Sequence, residues 1–324
     1  MNSEFKGSSI VIKTTARLHM GFLDLNGDIG RRFGSLGLNL NAPNTIIELA
    51  VGSRVFGDSE ESEYISKSKR LVLDHLGIKE ELSIRVHEQI PRHSGLGSGT
   101  QMALAIGAGI SQLFNRRLTL QEIALIVGRG LRSGIGIGTF AQGGLVIDGG
   151  RGSQTKIPPI IVRHDFPEDW PILLIFDHEH IGVHGQEELK AFNTLDNHHL
   201  PATEKISHDI LMKALPALIE RDLKRFGDAI AHLQAYTGDY FSPVQGGRYA
   251  SKQIAQVLNF LSDQGVSCVG QSSWGPTGFA VFESLELANQ YLQQVKQQFS
   301  DGQLSWLICY ANNTGASIKV GNNP

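Results

Sequence analysis

The spacing of apolar and polar positions changes along the chain, and each change marks a class of element. Residues 8–14 (SSIVIKT) and 44–51 (NTIIELAV) are β-branched and apolar, while 82–88 (LSIRVHE) alternates with a period of two. All three predict strands. Ile65, Leu71, Val72 and Leu76 recur at helical spacing and predict a helix over 64–76. Residues 101–114 and 120–130 predict two more helices, and 142–150 (QGGLVIDGG) returns to strand before paired glycines. The second half opens on a buried strand at 171–177, followed by amphipathic stretches at 202–219, 222–236 and 248–264. In the last of these Ile254, Val257, Leu258 and Leu261 form a core-facing stripe. Strands at 266–271 and 277–282, a helix at 285–299, and strands near 304–310 and 315–320 complete the pattern. A Gly-, Pro- and polar-rich stretch at 149–159 suggests a boundary. The expectation is an α+β chain of two lobes, residues 1–155 and 156–324.

One segment breaks the periodicity. PRHSGLGSGTQMALAIG (91–107) runs from a glycine-rich loop into an alanine-rich helix. Glycine lets the backbone turn tightly and approach a ligand, and a helix start presents unpaired N–H groups and a positive dipole end to an anion. Ser98 and Thr100 add hydroxyl donors. No Lys follows the last glycine, so this is not a Walker loop, and the glycine spacing does not fit a dinucleotide fingerprint. A ligand-free glycine cap is the alternative, but so many glycines cost backbone entropy without a return. The residues describe a phosphate cradle.

Composition narrows the partners. Of 324 residues, 41% are hydrophobic and 19% charged, with a net charge of -3. That balance gives no electrostatic footprint for nucleic acid or an anionic membrane surface. Cys268 and Cys309 each sit in apolar segments, as reduced buried thiols in a cytoplasmic protein would. No N-terminal apolar stretch reads as a signal peptide, and the longest apolar run, 102–110, is about half of a bilayer crossing. Gln- and Asn-rich runs such as NQYLQQVKQQF suggest a mesophilic source.

PRHSGLGSGTQMALA resembles the P-x-x-x-G-L-G-S-S-A signature of the GHMP small-molecule kinases. The resemblance implies an N-terminal lobe like domain 2 of ribosomal protein S5, with a left-handed βαβ crossover, and a ferredoxin-like C-terminal lobe. It also exposes departures. Gly99 stands where the kinases place a second Ser that helps hold magnesium. RSGIGIGTFAQGG (132–144) resembles the S-G-x-G-x-D segment, with Gly138 in the position of the Asp that pairs with the reacting hydroxyl. GQSSWGPTGFAVF (270–282) stands for the third motif without its glycine run. Phosphoryl transfer needs metal and positioning groups around the γ-phosphate, and these positions have lost them. The pattern keeps a phosphate cradle and sheds the phosphotransferase.

One branch of the superfamily, the β-ribofuranosylaminobenzene 5′-phosphate synthases, is similar in these same departures. Its likeness covers ARLHMGFLDLNG (16–27), RRFGSLGLNLNAP (31–43), RGLRSGIGIGTFAQGGLVIDGG (129–150), GVHGQEELKAF (182–192) and QSSWGPTGFAVF (271–282), with Trp274 in place of a Phe. The resemblance implies a pentosyltransferase of tetrahydromethanopterin synthesis that joins phosphoribosyl pyrophosphate to 4-aminobenzoate or 4-hydroxybenzoate and releases pyrophosphate and CO2. It implies a cytoplasmic homodimer, magnesium arriving with the pyrophosphate, and no organic cofactor.

Such a reaction needs donors for pyrophosphate, a second anion site for the 5′-phosphate, and an aromatic slot for the benzoate. Candidates for the first two are Arg92, Ser94, Gly95, Leu96, Gly97, Ser98, Gly99 and Thr100, together with Arg31 and Arg32. His93 stands beside Arg92, and Arg129 lies with Arg132 at a helix end next to SGIG. Arg17, His19, Arg132 and Ser133 are the catalytic candidates, and Arg17 and His19 would share one face of a strand. Gly34, Ser35, Gly134, Ser272, Ser273, Trp274 and Gly275 are expected around the substrate. Glu187 or Glu188 could carry magnesium through a carboxylate. DHEHIGVH (177–184) also invites a metal, but its spacing reads better as a solvated loop, as does His198-His199. Two alternatives stay open: an ATP-dependent GHMP kinase with a carboxylate brought near Gly138, and a binding protein without turnover. The acidic pair that usually marks phosphoribosyl pyrophosphate sites is absent, so that substrate rests on the resemblance.

Overall fold

The computed structural model describes residues 9–52, 62–180, 203–300 and 302–321. Two antiparallel sheets organise it. In the first, β1 (Ser9–Phe22) pairs with β2 (Ser35–Val51), far longer than the two apolar runs suggest. Both halves of β2 are used on one edge. β3 (Leu82–Glu88) pairs with residues 46–51, and β4 (Leu145–Asp148) pairs with residues 35–38. β5 (Ile160–His164) extends β4, and β10 (Ser317–Gly321) returns from the C-terminus to flank β1. The second sheet has the order β7 (Cys268–Gln271), β8 (Gly278–Val281), β6 (Ile172–Asp177) and β9 (Leu304–Cys309). The sheets therefore divide between β5 and β6 rather than at residue 155, and the last strand belongs to the first lobe.

Helices α1 (Glu63–Leu76), α2 (Ser98–Leu113), α3 (Leu120–Ile126) and α4 (Ile135–Gln142) cover the first sheet. α2 is apolar almost all round and is buried accordingly, with Met102, Leu104 and Ile106 packed on Ile10, Ile12, Ile47 and Leu49. After β6 come α5 (Thr203–Asp209), a π-helical turn at Ile210–Ala214, α6 (Leu215–Glu220) and α7 (Leu223–Gln245). Phe226, Ile230 and Leu233 of α7 share one core with Leu18 and Met20 of β1 and with Leu174 and Cys268 of the second sheet. α8 (Lys252–Asp263) and α9 (Leu285–Gln298) close the far face of that sheet, around Leu173 and Ile175.

The lobes are also joined by polar groups. Gln234 on α7 donates from Nε2 to the carbonyls of Met20 (2.5 Å) and Gln271 (3.1 Å), and its Oε1 accepts the Gln271 N–H. Such buried donors and acceptors are costly unless paired, so this side chain fixes β1 against β7. Two irregularities in the β1–β2 register fall between Thr15 and Arg17 and between His19 and Gly21. Bulges of this kind re-aim side chains. Between them Arg17, Leu18 and His19 pair regularly with Asn39, Leu38 and Gly37. Leu18 faces the core, which turns Arg17 and His19 to the other side.

Candidate functional site

The glycine loop meets β1 on one side and the β7–β8 turn on the other. Gly97 (φ +81°) precedes α2, and no side chain caps the helix start among the described residues. The Arg17 guanidinium lies over this turn, about 3.2–3.3 Å from where a Gly97 Cβ would sit, and Nη1 donates to the Gly95 carbonyl at 2.5 Å. The Arg17 N–H donates to Leu96 (3.1 Å), whose side chain is fully buried and anchors the loop. Gly95 is obligatory: at φ +78°, an added Cβ would come within 2.4 Å of the Ser272 carbonyl. Ser272 Oγ donates to Gly95 O (2.8 Å) and accepts the His19 N–H (3.0 Å), while Thr277 Oγ1 donates to Ser94 O (2.7 Å). Ser94 in turn donates to Pro91 O. The loop is thus held from both lobes with its helix start outward.

Arginines gather at that start. Arg129 lies 3.5 Å from the position of a Gly99 Cβ, so the missing side chain admits a cation. It stacks 5.2 Å from the centroid of the Tyr64 ring. The Tyr64 phenol donates to the Gly99 carbonyl, and burial raises its pKa, which keeps it a donor. Arg132 lies near enough to His19 for its charge to act there. Ser98 opens the helix, the Thr100 side chain packs against Gly136, and Arg92 and His93 occupy the exposed rim.

His19 stands where this anion site borders a cleft. The cleft encloses about 360 Å³, counting space open to solvent, and is lined by His19, Phe22, Phe241 and Trp274 with Gln234, Gln271 and Arg248 among its polar residues. Phe22 lies 4.7 Å from the His19 ring, and Trp274 lies 4.3 Å from Phe241, centroid to centroid. Three aromatic side chains therefore wall the slot beside His19. His19 is buried, and its Nδ1 has no hydrogen-bond partner among the described residues. Burial first and the Arg17 charge second push its pKa down to about 3, opposed by a pull from its own backbone and helped by the Arg132 charge. The ring is neutral at any ordinary pH.

Other expected site residues sit elsewhere. Ser35, Ser133 and Gly134 surround the carboxylate of Asp148, which is fully buried. Ser35 Oγ (2.6 Å), Ser133 Oγ (2.9 Å) and Gly134 N–H (2.8 Å) donate to Oδ2, and Gly150 N–H (2.9 Å) donates to Oδ1. Gly34 packs beside the Asp148 backbone. These residues brace the fold instead of lining the substrate cleft. Arg31 donates to the Gly149 and Gly150 carbonyls. Arg32 donates to Leu25 O and the Tyr240 hydroxyl. Both arginines tie loops together. Ser273 and Trp274 line the cleft, and Gly275 (φ +65°) lets the turn close on Gln271. Glu187, Glu188, His184, His198 and His199 lie outside the described residues. Within them, no group of three His, Cys, Asp or Glu could hold a metal ion. Asp177, His178, Glu179 and His180 instead form a turn in which Asp177 Oδ1 accepts the N–H groups of Glu179 and His180. Asp148, Tyr64, Phe22, Phe241 and Arg248 were not foreseen. Only Asp148, at a strand end before paired glycines, left a trace in the sequence.

The geometry disfavours the kinase chemistry. The space beside Gly138 is taken by the Ile160 side chain, 2.7 Å from where a Cβ would sit, and the glycine itself offers no carboxylate. The carboxylate one turn away, Asp148, is already saturated and turned inward.

Comparison with known proteins agrees with this picture. Residues 63–144 match the GHMP kinases N terminal domain, and residues 214–301 match the GHMP kinases C terminal domain. Homoserine kinase from Cytophaga hutchinsonii superposes with a TM-score of 0.68 over 96% of this chain and 97% of that one, at 18% identity. Mevalonate diphosphate decarboxylase from Staphylococcus aureus gives 0.67 over 96% and 98%, at 15%. The fold is that of the GHMP kinases. Beta-ribofuranosylphenol 5'-phosphate synthase of Methanocaldococcus jannaschii is 36% identical over 95% of this chain and 100% of its own length. The protein of the same name from Archaeoglobus fulgidus is 34% identical over 95% and 99%. The chain belongs to the family of these synthases, a branch of the GHMP kinase superfamily.

Proposed function

We propose that the chain transfers a 5-phosphoribosyl group from phosphoribosyl pyrophosphate to the carboxylate-bearing carbon of 4-hydroxybenzoate or 4-aminobenzoate. The phenol in its relatives' name favours the hydroxybenzoate. One observation carries the reading: an anion-binding helix start and an aromatic-walled cleft adjoin at His19, with the kinase carboxylate position filled by Ile160. In the reaction the C1–O bond of the ribose breaks and pyrophosphate leaves with the electron pair. The ring carbon forms the new C–C bond, the bond to the carboxylate breaks, and its electrons restore the aromatic ring as CO2 departs.

Each part has a place in this proposal. The α2 start, Arg17 and Arg129 receive the charge that grows on pyrophosphate, where preformed donors act most strongly. Arg132 serves the 5′-phosphate, and Phe22, Phe241 and Trp274 hold the benzoate ring. Magnesium enters with the pyrophosphate, whose oxygens supply its ligands together with one or two carboxylates. No step here is routed through it. The same reading places the reaction in tetrahydromethanopterin synthesis, in a cytoplasmic homodimer.

Purified protein given phosphoribosyl pyrophosphate and carboxyl-labelled 4-hydroxybenzoate should release labelled CO2 and pyrophosphate in equal amounts. ADP formed from ATP and a small alcohol would establish a kinase instead. Binding without turnover would mark a protein that kept the cradle and lost the chemistry.

A further inference from the structure

The cleft has one polar group to spare. Gln234 bridges Met20 and Gln271, and the Gln271 side chain bonds Ser273 O and Ala250 N. Thr237 accepts the Phe22 N–H, Gln245 donates to Arg248 O, and Arg248 is paired in two-pronged fashion with Asp239. Of the buried side-chain nitrogens and oxygens in this lining, His19 Nδ1 alone lacks a partner among the described residues. A buried polar atom left unpaired costs free energy, and a native site keeps one when a ligand completes it.

The reaction geometry says which ligand atom would do so. The ribose carbon must meet the ring carbon that bears the carboxylate. The carboxylate therefore lies at the border between the anion site and the aromatic cleft, where His19 sits, and the ring's hydroxyl points to the opposite end. We propose that the uncharged His19 imidazole donates a hydrogen bond from Nδ1–H to the acceptor carboxylate, orienting it for departure without forming an ion pair. This inference rests on the decarboxylating reading above. Its physical logic is differential binding. A cation there would stabilise the carboxylate more than the CO2-like transition state, tightening the ground state and slowing the reaction. Burial, with the charges of Arg17 and Arg132, keeps the ring neutral, and Arg17 is itself engaged with Gly95.

Three variants test the assignment. His19→Leu removes the unpaired nitrogen; its unliganded Tm should equal or exceed that of the wild type, and its pyrophosphate affinity should stay within about twofold. Its kcat/KM for 4-hydroxybenzoate should fall about 10- to 100-fold, the worth of one hydrogen bond to a charged group. His19→Asn keeps a neutral donor and should recover part of that loss. His19→Lys should lower KM and kcat together and enlarge the carboxyl-carbon isotope effect. A lowered Tm in His19→Leu with full recovery of activity per folded molecule would make the residue structural and overturn the proposal. A lysine variant with unchanged or faster CO2 release would also overturn it. Should His19→Leu fail to fold, the KM-against-kcat split of the asparagine and lysine variants decides. A wild-type protein that releases no CO2 at all defeats the functional reading itself, a different result from variants that match an active wild type.

Discussion

Two helices of the first lobe start in turns that look alike in sequence, GLGSGT before α2 and RSGIGIGT before α4, yet only one start is open. At α2 no side chain among the described residues caps the helix, and Arg17 and Arg129 stand around it. At α4 the Asp148 carboxylate already accepts from the Gly134 N–H and from Ser133, with Ser35 and Gly150 completing its shell. Both starts attract an anion. The chain supplies the anion for one and leaves the other to a ligand. A glycine-rich turn into a helix is thus half of a phosphate site; the other half is the absence of an internal carboxylate.

The sharpest way to break the comparison is Asp148→Ala. It strands several buried donors at about 1–3 kcal/mol each, so urea unfolding should show a loss of at least about 3 kcal/mol. If α4 were a second ligand site in waiting, the variant would bind a second pyrophosphate by calorimetry. We expect the stoichiometry to stay at one per chain, because the α4 start is buried at Gly134 and Asp148 whereas the α2 start is reached from solvent.

Acid separates the two regions by sign. Burial raises the pKa of Asp148, so its share of stability is complete below the ordinary carboxylate value and shrinks as pH rises through the folded value. His19 works in reverse: its folded pKa of about 3 lies below the ordinary 6.5, so the unfolded chain binds the extra proton. Stability should fall as pH drops from about 6.5 toward 3, at up to about 1.4 kcal/mol per unit from this one group. His19→Leu should flatten that slope in a pH series of thermal melts. An unchanged slope would show that His19 is charged or exposed in solution.

Gly95→Ala acts on the open side alone. With φ +78° and the Ser272 carbonyl 2.4 Å from the new Cβ, the loop must lift from the β7–β8 turn. Strain of this kind costs about 1–3 kcal/mol. Pyrophosphate affinity should drop by roughly the same free energy, about 10- to 100-fold, while the Asp148 shell stays intact.

Periodicity made most of this architecture legible. β3 falls on the expected residues, and α1, α2 and the C-terminal elements begin or end within a few positions of expectation. What escaped has physical causes. Residues 135–142, with glycines at 136 and 138, have poor helix propensity. They fold as α4 because Gly136 makes room for Thr100 and Gly138 for Ile160, a tertiary fit that no local pattern encodes. β5 starts directly after the 149–159 stretch that read as a boundary, and its pairing with β4 keeps it in the first sheet. In the site, the strand spacing put Arg17 and His19 on one face of β1, and Trp274 lines the cleft beside His19. Arg31 and Arg32 do not join them, because carbonyls from distant turns claim their guanidinium groups. Sequence spacing locates donors; it does not reveal which are already engaged.

The mildest test sets engaged arginines against those at the open start. Arg129 reaches Gly99 and stacks on Tyr64, so Arg129→Gln keeps much of the packing while removing the charge. A charge-assisted contact to phosphate is worth about 1.5–3 kcal/mol. Pyrophosphate should therefore bind about tenfold or more weakly, with a shallower dependence on salt. Arg31→Gln should leave pyrophosphate affinity within about twofold, since Arg31 donates to Gly149 and Gly150 at a turn away from the α2 start. Calorimetric titrations at two ionic strengths would read both effects. Equal losses from the two variants would mean that a diffuse positive surface gathers the anion, and the distinction between an open and a filled helix start would lose its functional content.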